Sequence, residues 1–404
     1  MPRTAERAAD RPDTTLLRAR NAVALTFVLN GLVFASLVSR LPDVRERLVL
    51  SNGSLGLLLL AVAAGSLVAL PSTGHVINRI GAGATVRLGA GLDTCGLGLA
   101  ALGVSTGSIP VTAAGLLVHG TGTGVWDVAM NVEAAEVERG LARTIMPRFH
   151  AGWSLGSMIG AGLGVLVVAL DVPLLVHLTG VAGLAWALAW GSAARFAPAR
   201  PAAGGHDPAP GAPARHSAWT EPRTLAIGLM VLCFAMVEGT ANDWLSLALI
   251  DGYGVETWVG VSGFALFVVA MTTGRLLGPL LLDRWGRSPV LLGCAALAGA
   301  GTLATVLGGS PVVVAAGILA WGLGASLGFP VGMSAAADDP QSAALRVSVV
   351  STIGYGAFLA GPPLLGRLAD RVGTLEVLLV VAVLMLPAAL SVGATRDRTA
   401  GAAS

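Results

Sequence analysis

Twelve apolar runs recur along this 404-residue chain, near 20–40, 53–76, 84–105, 109–133, 148–170, 172–194, 223–250, 257–281, 288–308, 312–336, 346–366 and 375–394. Each can cross a hydrocarbon core of roughly 30 Å as a helix. In lipid the backbone must satisfy its own hydrogen bonds, so runs of this length predict spanning helices. With 54% hydrophobic and only 12% charged residues, the composition excludes a soluble globular chain. The 55 glycines then read as packing positions, because small residues let helix backbones approach closely where lipid supplies no hydrophobic drive between helices. The expected fold is an all-α membrane protein of twelve transmembrane helices.

The helices fall into two copies of one unit. Ala113–Leu117 reads AAGLL and Ala315–Leu319 reads AAGIL, and at this 202-residue offset Gly120 pairs with Gly322 and Gly122 with Gly324. Asn30-Gly31 pairs with Glu238-Gly239 at offset 208, and Asn78-Arg79-x-Gly81 with Asp283-Arg284-x-Gly286 at offset 205. Repeats of this size in an apolar chain predict two six-helix bundles, 1–194 and 223–404, about a central pseudo-twofold axis. The interval 195–222 is rich in Pro, Ala and Gly and reads as a cytoplasmic linker, with His206 and His216 as a solvated pair and not a metal site.

All 25 basic residues are arginines, and with the N-terminus inside, 20 of them fall in inner segments, Arg275 among them. That bias predicts a multi-pass protein of the cytoplasmic membrane with both termini in the cytoplasm. The arginines never gather on one face, so no nucleic-acid partner is expected. The first 20 residues mix Arg with Glu6, Asp10 and Asp13 and read as a cytoplasmic tail, not a signal peptide. Cys95, Cys233 and Cys294 lie inside spans and read as packing residues. The spacing offers no metal site, nucleophile elbow or phosphate loop, so neither an enzyme nor a cofactor is expected. The chain also lacks the sizeable cytoplasmic domain that a membrane receptor would need.

Gly74-His75-Val76-Ile77-Asn78-Arg79-Ile80-Gly81 and Gly278-Pro279-Leu280-Leu281-Leu282-Asp283-Arg284-Trp285-Gly286-Arg287 resemble the cytoplasmic loop signature of the major facilitator superfamily. The resemblance implies an alternating-access secondary transporter, working as a monomer, in which Asn78, Arg79, Asp283 and Arg284 gate the inner side. The first copy carries Asn78 where the signature has an acid, which predicts a weaker latch in the N-terminal half. Gly366-Arg367-Leu368-Ala369-Asp370-Arg371-Val372-Gly373 fits the same pattern at the outer side, as an external counterpart or a chance match.

Ionisable groups inside spans need a reason, since a charge at the bilayer centre costs at least roughly 2.5–3.5 kcal/mol. Asn30, His119, Glu238 and Trp321 lie near the middles of spans 1, 4, 7 and 10, and Asn30–Glu238 and His119–Trp321 are repeat mates. The resemblance implies that these four spans line the central cavity, so the four residues are the expected substrate-binding lining. In span 4, Gly120, Thr123, Gly124, Asp127 and Asn131 share one helical stripe, and His119, Trp126 and Met130 the adjoining one. Asp127-x-x-x-Asn131 resembles the corresponding span of fucose-permease-like sugar–proton symporters, which implies proton coupling through Asp127. Span 1 has no acid between Asn30 and Arg40, unlike that group. In span 7 Glu238 and Asn242 share a face, with Glu238 a second coupling candidate, while Asp243 points about 140° away, toward a gate, Arg40 or substrate. Asp93 and His177 read as structural hydrogen-bonding groups, His150 and Trp153 as snorkelling or gating groups, and Gly354-Tyr355-Gly356 with Gly361-Pro362-Pro363 as a bending element.

The expected function is therefore proton-coupled transport of a small organic solute. Trp126, Trp244 and Trp321 suit a flat apolar ligand and favour an exporter or metabolite carrier; Asn30, Asn131, Glu238 and Asn242 suit a hydroxylated one and keep nutrient import open.

Overall fold

A computed structural model describes residues 14–141, 145–196, 218–338 and 343–396. Most of the expected linker, with His206 and His216, and most of the N-terminal tail lie outside these residues. Helices in chain order are α1 (Thr14–Val38), α2 (Leu41–Arg47), α3 (Asn52–Ser105), α4 (Ile109–Leu141), α5 (Met146–Ala169), α6 (Leu174–Ala193), α7 (Pro222–Tyr253), α8 (Thr257–Trp285), α9 (Arg287–Leu307), α10 (Pro311–Ala325), α11 (Gly328–Ala336), α12 (Ala343–Val372) and α13 (Leu379–Ser391). Eleven segments among the described residues are long and apolar enough to span a membrane. The 33-residue α4 is the twelfth by length; its His119 and its glycine–threonine run make it less apolar.

Two of the expected spans are drawn out as one element. Spans 2 and 3 form α3, bent at Gly81, where the backbone takes φ 81 and ψ 160. Its repeat mate Gly286, between α8 and α9, takes φ 75 and ψ 172. Only glycine populates that region without strain, which explains the glycine at the end of each signature loop. Conversely, span 10 is divided into α10 and α11 around Ser326 and Leu327.

The repeat is visible in the packing. α1 packs on α5 and α6, and α3 on α4 and α6; in the second half α7 packs on α12 and α13, and α9 on α10 and α13. Paired glycines make paired contacts. A Cβ on Gly120 would lie 2.0 Å from the Val62 carbonyl oxygen, and one on Gly322 2.6 Å from that of Phe267. A Cβ on Gly122 would lie 2.2 Å from the Asp93 nitrogen, and one on Gly324 2.3 Å from that of Ala298. The two bundles meet chiefly along α3 with α12 and α5 with α8, pairs that the pseudo-twofold exchanges. Cys233 and Cys294 are buried, whereas Cys95 is exposed on the outer surface of its bundle.

Candidate functional site

The four midplane residues do not converge on one cavity. His119 is buried, with Nδ1 2.8 Å from Asp93 Oδ1 on α3, and the Thr123 hydroxyl donates to the same carboxylate oxygen at 2.7 Å. Trp321 is fully buried within the C-terminal bundle, edge-on to Phe267 at 5.6 Å between ring centroids. Trp126 and Trp244 are equally enclosed, and among the described residues none of these three indole N–H groups meets an acceptor. In this state His119, Trp126 and Trp321 are enclosed within their own bundles. The glycines of α4 draw it so close to α3 that the large side chains beside them are enclosed by that neighbour.

Asn30 and Glu238 have different partners despite their equivalence in the repeat. Asn30 is buried, and its Oδ1 accepts from Trp153 Nε1 on α5 at 2.9 Å; Trp153 in turn stacks at a tilt on Phe34. Glu238 is 13% exposed and accepts from Arg275 Nη2 on α8 at 3.0 Å. Sequence reasoning missed this arginine by assigning it to an inner segment, although it falls inside span 8 by length. An arginine four residues before Pro279, within an apolar run, was the available signal. Arg275 Nε also points at the Ser326 carbonyl, 3.4 Å away at the break between α10 and α11. Pro330 has no N–H to offer that carbonyl four residues earlier, so the helix interruption leaves it free for the guanidinium.

On the N-terminal side, half-buried Asp127 accepts from Asn131 Nδ2 at 3.2 Å, as the i,i+4 spacing predicted, and lies within electrostatic range of Tyr355 on α12. Tyr355 sits in a row of rings with Phe329 and Phe358, at 6.3 and 6.5 Å. His150 on α5 is exposed and within electrostatic range of Arg275 across the interface. Asn242 is buried, and Asp243 makes no hydrogen bond or ion pair among the described residues. Arg40 is engaged elsewhere, by Asp43, His177 and the Val172 carbonyl. It therefore does not meet Asp243. The interface carries Glu238, Arg275, Asp127, Asn131 and His150 beside two aromatic groups, a set suited to holding a polar head and a flat apolar body.

The two ends of the interface differ. At the α2 end, Arg45 forms a bidentate pair with Asp251 at 2.5 and 2.6 Å, and Thr374 donates to the same carboxylate at 2.8 Å. Asp370 accepts the backbone N–H groups of Asn52 and Gly53, both at 2.8 Å, and so caps the first turn of α3 from the opposite bundle. Asp370 belongs to the third signature-like stretch, whose terminal Gly373 also takes positive φ, at 104. This stretch thus contacts the opposite bundle and ends on a positive-φ glycine, as the signature loops end on Gly81 and Gly286. At the other end, Asn78, Arg79, Asp283 and Arg284 are all exposed, and Arg284 stacks on neighbouring Trp285. Among the described residues the signature loops do not bridge the bundles.

Comparison with known proteins agrees with this architecture. The family profile described as "Major Facilitator Superfamily" matches residues 23–362 and 259–401. An uncharacterized transporter, y4wD, of Sinorhizobium fredii is 33% identical over 363 residues, covering 88% of this chain and 92% of the relative. Two crystal structures show similar folds. A bacterial homologue of the human lysosomal transporter Spinster, inward-facing and unoccupied, has a TM-score of 0.75 at 13% identity, covering 96% of this chain and 98% of the other. The Escherichia coli fucose:proton symporter FucP has a TM-score of 0.64 at 15% identity, covering 95% and 99%.

Proposed function

Because the chain belongs to the major facilitator superfamily, we propose that it is a secondary active transporter that moves a small organic solute by alternating access, driven by protons. The observation that carries this reading is the asymmetry of the interface. One end is held by Arg45–Asp251 and by Asp370 on α3, while the signature-loop residues at the other end are exposed and make no hydrogen bond or ion pair between the bundles among the described residues. That is one of the two states alternating access requires. The arginine bias supports a reading in which the open end is cytoplasmic, with both termini inside and the protein in the cytoplasmic membrane. Engagement of Asn78, Arg79, Asp283 and Arg284 would close it in the opposite state.

Asp127 and Glu238 are the proton-carrying acids, and Asn131, Asn242 and the Asn30–Trp153 pair shape the solute site. The aromatic rows favour a metabolite carrier or exporter over an importer of a highly hydroxylated nutrient. A thermal-shift screen of the purified protein with sugars, amino acids and aromatic metabolites identifies a ligand for proteoliposome transport under an imposed pH gradient. Asp127→Asn is expected to abolish gradient-driven accumulation while leaving substrate exchange measurable. An Asp127→Asn protein that still concentrates substrate removes Asp127 from the coupling mechanism.

A further inference from the structure

Resting on the transporter reading, we propose that Arg275 is an anion-binding group with Glu238 as its internal counter-ion, and that the solute is a small organic acid with a flat apolar body. The ion pairs of this molecule set the comparison. Arg346–Glu221 is bidentate at 2.6 and 2.7 Å, and Arg45–Asp251 is bidentate at 2.5 and 2.6 Å. These are the short, forked contacts expected of a guanidinium matched to its carboxylate. Arg275–Glu238 is different. One Nη2 reaches one Oε at 3.0 Å, Nε makes a long 3.4 Å contact to a carbonyl, and Nη1 bonds to nothing among the described residues. Half of the fork is empty, and the arginine side chain is 25% exposed.

The groups around it are acids, a carbonyl and rings, so the guanidinium is the feature that would draw a carboxylate here. Across from Arg275, α5 presents His150. α7 presents Glu238, and the break after α10 presents only the Ser326 carbonyl. On α4, Asp127 is held by Asn131, and α12 brings Tyr355, with no cation, beside it. A carboxylate arriving on Nη1 and Nη2 would take the fork in the geometry Glu238 does not reach. Charge balance then requires one proton from solution at Glu238, which has lost its cation. The loaded site holds Arg275⁺ with the substrate carboxylate and a neutral Glu238, so charge balance is kept and each bound acid carries a proton with it. Phe358 lies 3.6 Å from the Cβ position of Gly239, beside Glu238, so its row with Tyr355 and Phe329 gives the body of the acid a surface to lie on.

The test is binding to the purified full-length protein of benzoate, phenylacetate and indole-3-acetate, each beside its primary amide, by thermal shift and by proton uptake in weak buffer. At least one acid is expected to bind with uptake of a proton, its amide remaining silent. Glu238→Gln removes the competing carboxylate and is expected to tighten that acid about tenfold while abolishing the proton uptake. Arg275→Gln loses binding; should it misfold with Glu238 left unpaired, the double variant Arg275→Gln/Glu238→Gln restores a neutral pair and still must not bind. Amides binding as well as acids, weaker acid binding in Glu238→Gln, or no acid binding at millimolar concentration overturns the proposal. The transporter reading is judged separately. If pH alters the labelling of a cysteine at position 78 while the acids fail, the protein still alternates and only the substrate class falls.

Discussion

Replacing Gly56 by alanine would place a methyl carbon 2.2 Å from the Pro362 carbonyl oxygen and 2.7 Å from the Pro362 carbonyl carbon, both backbone atoms of the opposite bundle. Neither can move aside as a flexible side-chain tip would, so α3 and α12 must separate locally. Overpacking of this kind costs about 1–3 kcal/mol. The cost falls only on the state in which the α2 end is closed, because the clash vanishes once the bundles part there. It therefore becomes a shift in the conformational equilibrium of roughly 5–150-fold toward the opposite state. The assay is maleimide labelling of Asn78→Cys, with Cys95, Cys233 and Cys294 replaced by alanine. Residue 78 is exposed in the present state, and its labelling should slow as the signature loops approach each other. Gly120→Ala is the control. Its methyl group would lie 2.0 Å from the Val62 carbonyl oxygen, an equal clash confined to one bundle, and should lower the melting temperature without changing the labelling rate. A folded Gly56→Ala protein that labels at the wild-type rate would refute the idea that α3 and α12 form a moving interface.

Asp370→Ala deletes two contacts to the first turn of α3, and its exposure limits the loss to about 1 kcal/mol of closure at that end, read as slower labelling at position 78 in the same direction as Gly56→Ala. Gly286→Ala forces a Cβ into a glycine-only backbone region at about 1–3 kcal/mol, which a melting curve should show, whereas alanine at Gly74, a helical glycine with open space around it, should cost little. The forked Arg346 pair holds the Glu221 carboxyl below the usual carboxylate range, joining the starts of α7 and α12. Its folded pKa lies below the unfolded one, so this stabilisation is present above about pH 4.3 and lost as pH falls through the lowered value. Wild type should accordingly outlast Glu221→Gln in thermal denaturation at pH 7, with the gap closing under acid; a gap that persists below that range would contradict the assignment.

Position along each helix was legible in the sequence, and direction around each helix was not. The run lengths set out the spans, and the 202-residue repeat marked Gly120, Gly122, Gly322 and Gly324 as packing points, because close backbone approach admits no larger residue. The signature loops and their glycines were equally readable, since positive φ leaves few choices of residue. Asp127 and Asn131 fell together because four residues make one helical turn. His119 and Trp321 share a level along their helices in the repeat, but which neighbours they meet was not readable from it. A helix in lipid faces apolar surroundings both toward its neighbours and toward the acyl chains, so periodicity in hydropathy cannot single out the side that faces the cavity. Tertiary packing decided that His119 meets Asp93 and that Trp321 meets Phe267. It also decided the role of Arg275, whose neighbours come from α7 and from the break between α10 and α11, 37 and 51 residues away in the chain. No local pattern joins residues so far apart; only the bundle that brings α7, α8 and α10 side by side does.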